Sequence, residues 1–350
     1  MMHKKIKVLI VDDSPAICKI LSKELAKDSA IKVVGTAVNP FLARDQILHC
    51  APDVMILDIE MPRMDGLTFL EKLMKHFPLP VIIVSSLAKE GCDIGLKALE
   101  HGAVAIMSKP NAAYSTKEMI EQLIENIKAA SLMKHSKIMS QIREKALYDA
   151  RKNALKKTHP DAARKIIAIG ASTGGTEAIK NVLTKLPAEI PSIVIVQHMP
   201  PNFTEAFANR LNSLCPFEVK EAMHGELLTS SKALVAPGNK HMSVSRKGNE
   251  YYVEISDGPL VFHQRPSVEV LFNSVAECAG ADAIGILLTG MGKDGAHGLL
   301  NMKIAGALTI AQDEDSCIVY GMPKEAAAIG AATKILTLDE IPGAVLSHFN

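Results

Sequence analysis

Residues 166–176 read Ile-Ile-Ala-Ile-Gly-Ala-Ser-Thr-Gly-Gly-Thr, and the fold of the second half of the chain turns on this stretch. The apolar run 166–169 predicts a buried strand feeding a turn of glycines and small residues. From about Thr176, Ala178, Ile179, Val182 and Leu183 recur at helical spacing and predict a helix to about Lys185. Ser172 stands at the bend. At the carboxyl end of a parallel strand, such a turn holds a hydroxyl out of the sheet. It also sets it beside the unpaired N–H groups of a helix start, which favour developing negative charge. Gly170, Gly174 and Gly175 permit positive φ and close approach of a substrate. The turn alone leaves three readings open: a helix-capping serine, a dinucleotide loop and a serine nucleophile. Gly-x-Gly-x-x-Gly fails because Ser172 occupies the second glycine position, whereas Gly170-Ala171-Ser172-Thr173-Gly174 matches Gly-x-Ser-x-Gly.

A nucleophile needs a base and an orienting acid. Ser192–Gln197, rich in Ile and Val, predicts a strand that ends at His198, on the same rim as Ser172. Another buried strand, 283–288, runs into Thr289-Gly290-Met291-Gly292-Lys293-Asp294-Gly295. Asp294 is thereby expected to accept from the Nδ1–H of His198, fixing its tautomer and stabilising the imidazolium. Singly, these are a structural histidine and a turn aspartate. Ser, His and Asp each ending a separate apolar strand favour the catalytic reading. Further strands are expected over 218–222, 233–236, 251–255 and 307–311, with a hairpin about Gly248-Asn249. The chain order Ser…His…Asp departs from the Ser…Asp…His of α/β-hydrolases.

Length and composition bound the rest. With 350 residues, 48% hydrophobic and 22% charged, the chain has room for two globular domains. A net charge of +1 gives no global attraction for nucleic acid or an acidic membrane, and the lack of Trp argues against base stacking. Six dispersed cysteines without a Cys-x-x-Cys pair read as free thiols of a reducing cytosol. The N-terminal apolar run is too short for a signal segment, and no run approaches the ~20 residues of a membrane span. A cytoplasmic protein without membrane insertion is expected.

Residues 4–123 predict strands at 6–11, 32–37, 53–59, 81–85 and 104–107. Helices are expected at 15–27, 40–49, 67–77, 89–101 and from 116, giving a doubly wound parallel sheet. Asp12 and Asp13 close the first strand and Asp58 the third. In a sheet of order 2-1-3-4-5 those ends share a crevice, where converging carboxylates need a cation, and oxygen ligands suit Mg²⁺. Ser86, after the fourth strand, and Lys109, ending the fifth before Pro110, would face the same crevice. Between 131 and 165, ten Lys or Arg stand against three acids. An extended fifth helix running into a basic linker, 124–164, is expected ahead of a second domain, 165–350.

In this order Asp-Asp, Asp, Ser and Lys-Pro resemble a response-regulator receiver domain, as does Met61-Pro62-Arg63-Met64-Asp65-Gly66. One departure is Ile106, where receivers carry Tyr or Phe. The second half resembles the catalytic domain of the chemotaxis protein-glutamate methylesterase (CheB) family. The matching motifs are Gly170 to Thr176, Gln197-His198-Met199-Pro200, Arg265-Pro266-Ser267-Val268, Leu288 to Gly292 with Asp294-Gly295, and Gly321-Met322-Pro323. The resemblance implies a flavodoxin-like receiver joined to a doubly wound, mostly parallel α/β methylesterase domain. It implies phosphorylation of Asp58 by a histidine kinase, Mg²⁺ on Asp12, Asp13 and Asp58, and phosphoryl contacts from Ser86 and Lys109. It further implies hydrolysis of glutamate γ-methyl esters on the cytoplasmic helices of methyl-accepting chemotaxis receptors, with deamidation of receptor glutamines. Ser172, His198 and Asp294 would form the triad of a monomeric enzyme that needs no cofactor for the ester chemistry. Backbone N–H groups near Thr173 and Met291 would hold the oxyanion, and the unphosphorylated receiver would restrain activity. A non-catalytic response regulator whose second domain binds DNA or a protein, and a nucleotide-binding domain, are the rivals. For DNA binding the former lacks a basic field and a helix-turn-helix pattern, and only the Gly-rich turns favour the latter.

Overall fold

The computed structural model describes residues 4–61, 65–85, 89–109, 116–133 and 165–349. The chain divides into two compact units, Met1–Arg151 and Lys152–Asn350.

In the first unit strands and helices alternate: β1 Ile6–Val11, α1 Pro15–Leu25, β2 Ile31–Ala37, α2 Pro40–Cys50, β3 Val54–Leu57, α3 Gly66–His76, β4 Val81–Ser85, α4 Lys89–Glu100, β5 Ala105–Ser108 and α5 Thr116–Ser131. The sheet order is β2-β1-β3-β4-β5, with every pair parallel. Such strands are covered on both faces, which is why β3 and β4 read as unbroken apolar runs and are buried throughout. Local chemistry starts the helices where the sequence suggests. Pro15 sits in the first turn of α1, Asn39 accepts from the N–H groups of Phe41 and Leu42, and Asp65 accepts from Thr68 N–H. From β1 the chain crosses to β2 on one side while β3 pairs on the other, so the ends of β1 and β3 flank a crevice. α5 runs to Ser131, past the expected boundary at 123. The basic stretch from 134 to 164 lies outside the described residues.

The second unit contains β6 Ile166–Ala171, α6 Gly175–Leu183, β7 Ser192–Gln197, α7 Phe203–Asn212, β8 Glu218–Glu221, β9 Lys232–Val235, β10 His241–Lys247, β11 Glu250–Ser256, α8 Val268–Ala279, β12 Ala283–Leu287, α9 Ala296–Ile304, β13 Leu308–Gln312, α10 Met322–Ala328, β14 Lys334–Leu336 and α11 Ile341–Phe349. Seven strands form one sheet, β14-β13-β12-β6-β7-β9-β8, and all of its pairs are parallel. β10 and β11 form the expected antiparallel hairpin, closed by Lys247↔Glu250 with Gly248 at φ +63°. The edge strand β14 was not expected. It has three residues, and its Lys334 and Ile335 are exposed, so no burial pattern marks it. α8 lies in the core, where Val268, Leu271, Phe272 and Val275 belong to one apolar cluster with Ile166, Ala168, Val194, Met242 and Val244. Truncating the fully buried Phe272 to Ala would cost ~3–5 kcal/mol, and that anchorage fixes where the helix begins.

Candidate active site

The second sheet changes direction at β6, which has β7 on one side and β12 on the other. Ala171 pairs with Gln197 and Gly170 with Leu287, so the segments leaving all three strands emerge at one level. Ser172, His198 and Asp294 lie on these segments. Hydrogen bonds tie the turns together: Ser172 N–H donates to Thr289 O (3.0 Å) and His198 N–H to Ala171 O (3.1 Å). The Gln197 amide donates to both Ser172 O (2.9 Å) and His198 O (3.1 Å), bracing the serine turn against the histidine. Gly290 abuts the serine, since a Cβ there would stand 2.7 Å from Ser172 Cβ.

His198 and Asp294 meet, through a different nitrogen from the one expected. It is Nε2, not Nδ1, that lies 2.7 Å from Asp294 Oδ2. A carboxylate only accepts, so Nε2 carries a proton and donates it, and Nδ1 is the nitrogen turned away from the acid. Nδ1 is buried and has no hydrogen-bond partner among the described residues, so Ser172 Oγ and His198 are not hydrogen-bonded in this structure. Nothing in the spacing of the three residues dictates the χ angles that decide which ring nitrogen turns to the acid.

Asp294 is 2% exposed and accepts four hydrogen bonds. Besides His198 Nε2–H, the donors are Ser267 Oγ–H to Oδ1 (2.7 Å), Val268 N–H to Oδ2 (2.7 Å) and Glu269 N–H to Oδ1 (3.0 Å). Three of the four thus come from the start of α8, where the helix leaves N–H groups unpaired and its dipole favours an anion. Burial pushes the Asp294 carboxyl up, but the bonds and charge of His198 and the donors of α8 outweigh it and hold the group below the usual carboxylate range. The arrangement is reciprocal: Glu269, in the first turn of α8, accepts from Gly295 N–H (3.1 Å) at the start of α9. Burial raises Glu269 in turn, with the Asp294 charge adding to the rise. The role of Ser267 to Glu269 escaped the sequence reading. A serine just before an apolar helical pattern is an N-cap signal, yet here its hydroxyl serves the carboxylate of another element.

Of Gly170, Gly174 and Gly175, only Gly174 takes a positive φ. Gly174 has φ +78° and caps α6, a conformation costly for other residues. Gly170, by contrast, has no positive φ. It is small because Val268 packs onto it, and a Cβ would overlap the valine methyls. For an oxyanion, Ser172 N–H is already committed to Thr289 O. Met291 N–H has no acceptor among the described residues. Thr173 is buried, and its carbonyl accepts from Thr289 Oγ–H (3.0 Å).

In the receiver crevice Asp12, Asp13 and Asp58 converge, with one oxygen of each within 4.8 Å of the others. Lys109 Nζ reaches Asp58 Oδ2 (2.6 Å) and Asp12 Oδ2 (3.2 Å). Burial pushes the Asp58 carboxyl up against the pull of Lys109, and the Asp12 charge adds to the rise. Three carboxylates against one lysine leave excess negative charge on an all-oxygen donor set, which fits Mg²⁺. Ser86 lies outside the described residues, as do 62–64 and Pro110. β4 ends on Ser85, whose buried hydroxyl has no hydrogen-bond partner among the described residues. Ile106 is buried in β5.

The response regulator receiver domain family matches residues 8–122, and the CheB methylesterase family matches residues 167–345. The chain is 56% identical over 337 residues to the protein-glutamate methylesterase/protein-glutamine glutaminase 2 of Syntrophus aciditrophicus, covering 96% of this chain and 97% of that one. It is 48% identical over 351 residues to the protein-glutamate methylesterase/protein-glutamine glutaminase of Bdellovibrio bacteriovorus, covering 99% and 98%. The crystal structure of the Thermotoga maritima CheB methylesterase catalytic domain is similar at a TM-score of 0.51 and 35% identity, covering 52% of this chain and 97% of that one. Two domain matches in tandem, in relatives alike along nearly their whole length, leave one assignment: the chain belongs to the CheB methylesterase family, in the form that carries a response-regulator receiver domain.

Proposed function

We propose that the chain is a receiver-regulated serine hydrolase acting on chemotaxis receptors: it cleaves glutamate γ-methyl esters to carboxylate and methanol, and deamidates glutamines. The observation that carries this reading is the buried His198 ring, backed by Asp294 through Nε2, with Nδ1 unpartnered on the rim that Ser172 occupies. In this mechanism Nδ1 takes the Ser172 proton as Oγ attacks the ester carbonyl carbon. Asp294 stabilises the imidazolium that forms. The same ring then protonates the departing methoxide, leaving an acyl-enzyme for water to cleave. With a glutamine substrate the leaving group is ammonia. Met291 N–H, which has no acceptor among the described residues, and the N–H of Thr173 are the proposed oxyanion donors. Losing one such donor costs about 10²–10³ in rate.

Asp58 is the proposed phosphoryl acceptor, supplied by the histidine kinase of the pathway. Asp12, Asp13 and Asp58 would hold Mg²⁺, whose charge offsets that of the transferring group. Lys109 would contact the phosphoryl oxygens. At the end of β4 the unpartnered Ser85 hydroxyl joins Ser86 as a candidate for the same contact. The receptor segments are cytoplasmic, which sets the protein in the cytoplasm; among the described residues no helix is long and apolar enough to cross a membrane. The test is methanol release from radiomethylated receptor membranes. Wild-type protein should release it and Ser172→Ala should not, with the melting temperature unchanged; near-normal release by the variant rejects Ser172 as the nucleophile.

A further inference from the structure

Behind the acid of the proposed triad stands a second buried histidine. His241, at the start of β10, is 3% exposed and uses both ring nitrogens. Its Nε2 lies 2.8 Å from Pro259 O, an acceptor, so the proton is on Nε2. Its Nδ1 accordingly accepts, and the donor is the backbone N–H of Ser267 (3.2 Å). Ser267 is fully buried and is the residue from which α8 sets out. Its hydroxyl and the next two amides supply three of the four hydrogen bonds on Asp294. Residues 239, 258 and 265 lock the same loop, with Arg265 donating to Asn239 Oδ1 (2.7 and 3.1 Å) and to Gly258 O (2.9 Å). Gly258 packs against the His241 ring.

We infer that His241 is a positioning residue for catalysis: through Ser267 it holds the start of α8 in register with Asp294, and so holds Asp294 in line with His198. The inference rests on the proposed triad. A hydrophobic residue of the same size could not replace the ring, because it would leave the buried Ser267 N–H without an acceptor, and the turn would shift to relieve that penalty. A donor lost from Asp294 leaves its charge less shared, so the carboxylate holds the proton on His198 more firmly. Neighbouring charges are Asp294 and Glu269 on the site side, with Lys240, paired with Asp257, and Arg265 on the other.

The test uses full-length protein and radiomethylated receptor membranes. His241→Leu removes the acceptor and fills the space; His241→Asn keeps an acceptor near the position of Nδ1. The leucine variant should lose about 10- to 100-fold in kcat with KM within twofold, the range expected when a hydrogen bond to a charged group is broken. The acid limb of its kcat/KM profile should also move to higher pH. The asparagine variant should recover most of kcat and the wild-type limb. Ser267→Ala, which spares the ring, should move the limb in the same direction. A leucine variant with lowered melting temperature but wild-type kcat and pH limb overturns the inference, as does an asparagine variant no better than leucine. Inactive wild-type protein would instead defeat the underlying hydrolase reading.

Discussion

Asp58 and Asp294 invite comparison. Both are buried, at 1% and 2% exposure, and both stand beyond the carboxyl ends of parallel strands next to a switch in strand order. Their acidities move in opposite directions. Burial raises Asp58 and would raise Asp294, but what meets each carboxylate differs. Among the described residues, Asp58 shares one lysine with Asp12 and accepts a single backbone bond, from Glu60 N–H (3.1 Å). Asp294 has four donors, three of them at a helix start. The fold supplies the location and the donor count supplies the chemistry. On the proposed reading, the under-satisfied acid is the one left to take a cation and a phosphoryl group, and the over-satisfied one stays ionised and steers its neighbour.

The harshest way to break that comparison is Asp294→Asn. The amide no longer offers a carboxylate to Nε2–H, and turnover of methylated receptor should fall by about 10²–10⁴. A loss under threefold would show that Asp294 is merely a cap for α8. Next in size is regulation. A small phosphodonor such as acetyl phosphate, with Mg²⁺, should raise methanol release about 10- to 100-fold. Asp58→Asn should abolish that response, and deletion of residues 1–130 should raise basal activity. A response that survives Asp58→Asn relocates the phosphorylation site.

The finest probe is thermal and depends on sign. For an acid raised on folding, as Asp58 is, the native state binds protons more readily than the unfolded chain. Its contribution to stability therefore falls as pH rises through the unfolded and then the folded pKa, and stays low at neutral pH. Asp58→Asn should accordingly raise the receiver melting temperature in metal-free neutral buffer, by ~4–8 °C if ~1 kcal/mol is recovered. Added Mg²⁺ should narrow the gap by stabilising wild type. Asp294 is depressed, so its contribution is present above the unfolded pKa and lost only as pH falls through the lower folded one. Asp294→Asn should lower the melting temperature of the catalytic unit at neutral pH. Differential scanning calorimetry reads both, and shifts of the same sign would dissolve the contrast.

Much of this was open to sequence reading because strand ends are strongly punctuated. An apolar run stops at a polar residue, and the order of those residues along the chain maps onto the rim once the sheet order is guessed. Asp12, Asp58 and Lys109, and likewise Ser172 and His198, stand at or just past such stops, whereas Asp294 lies farther along the Gly-rich turn that follows β12. Relations between distant backbone segments are not marked in this way. Ser267 reaches Asp294 across 27 residues because α8 is buried against β6 and β7, and nothing near either residue encodes that packing. The orienting nitrogen of His198 depends on side-chain torsions fixed only in the assembled rim. β14 is too short and too exposed to carry a period.

Val268 gives the serine motif a meaning that its letters hide. One residue inserts its methyls against Gly170 and Gly295 while its amide binds Asp294, so the strand that leads to Ser172, the turn that carries Asp294 and a third element share a single wedge. The leading glycine of Gly-x-Ser-x-Gly is, in this chain, a socket. Grafting the five-residue motif onto a foreign scaffold would therefore transplant a hydroxyl without its chemistry, unless the helix that fills the socket travelled with it.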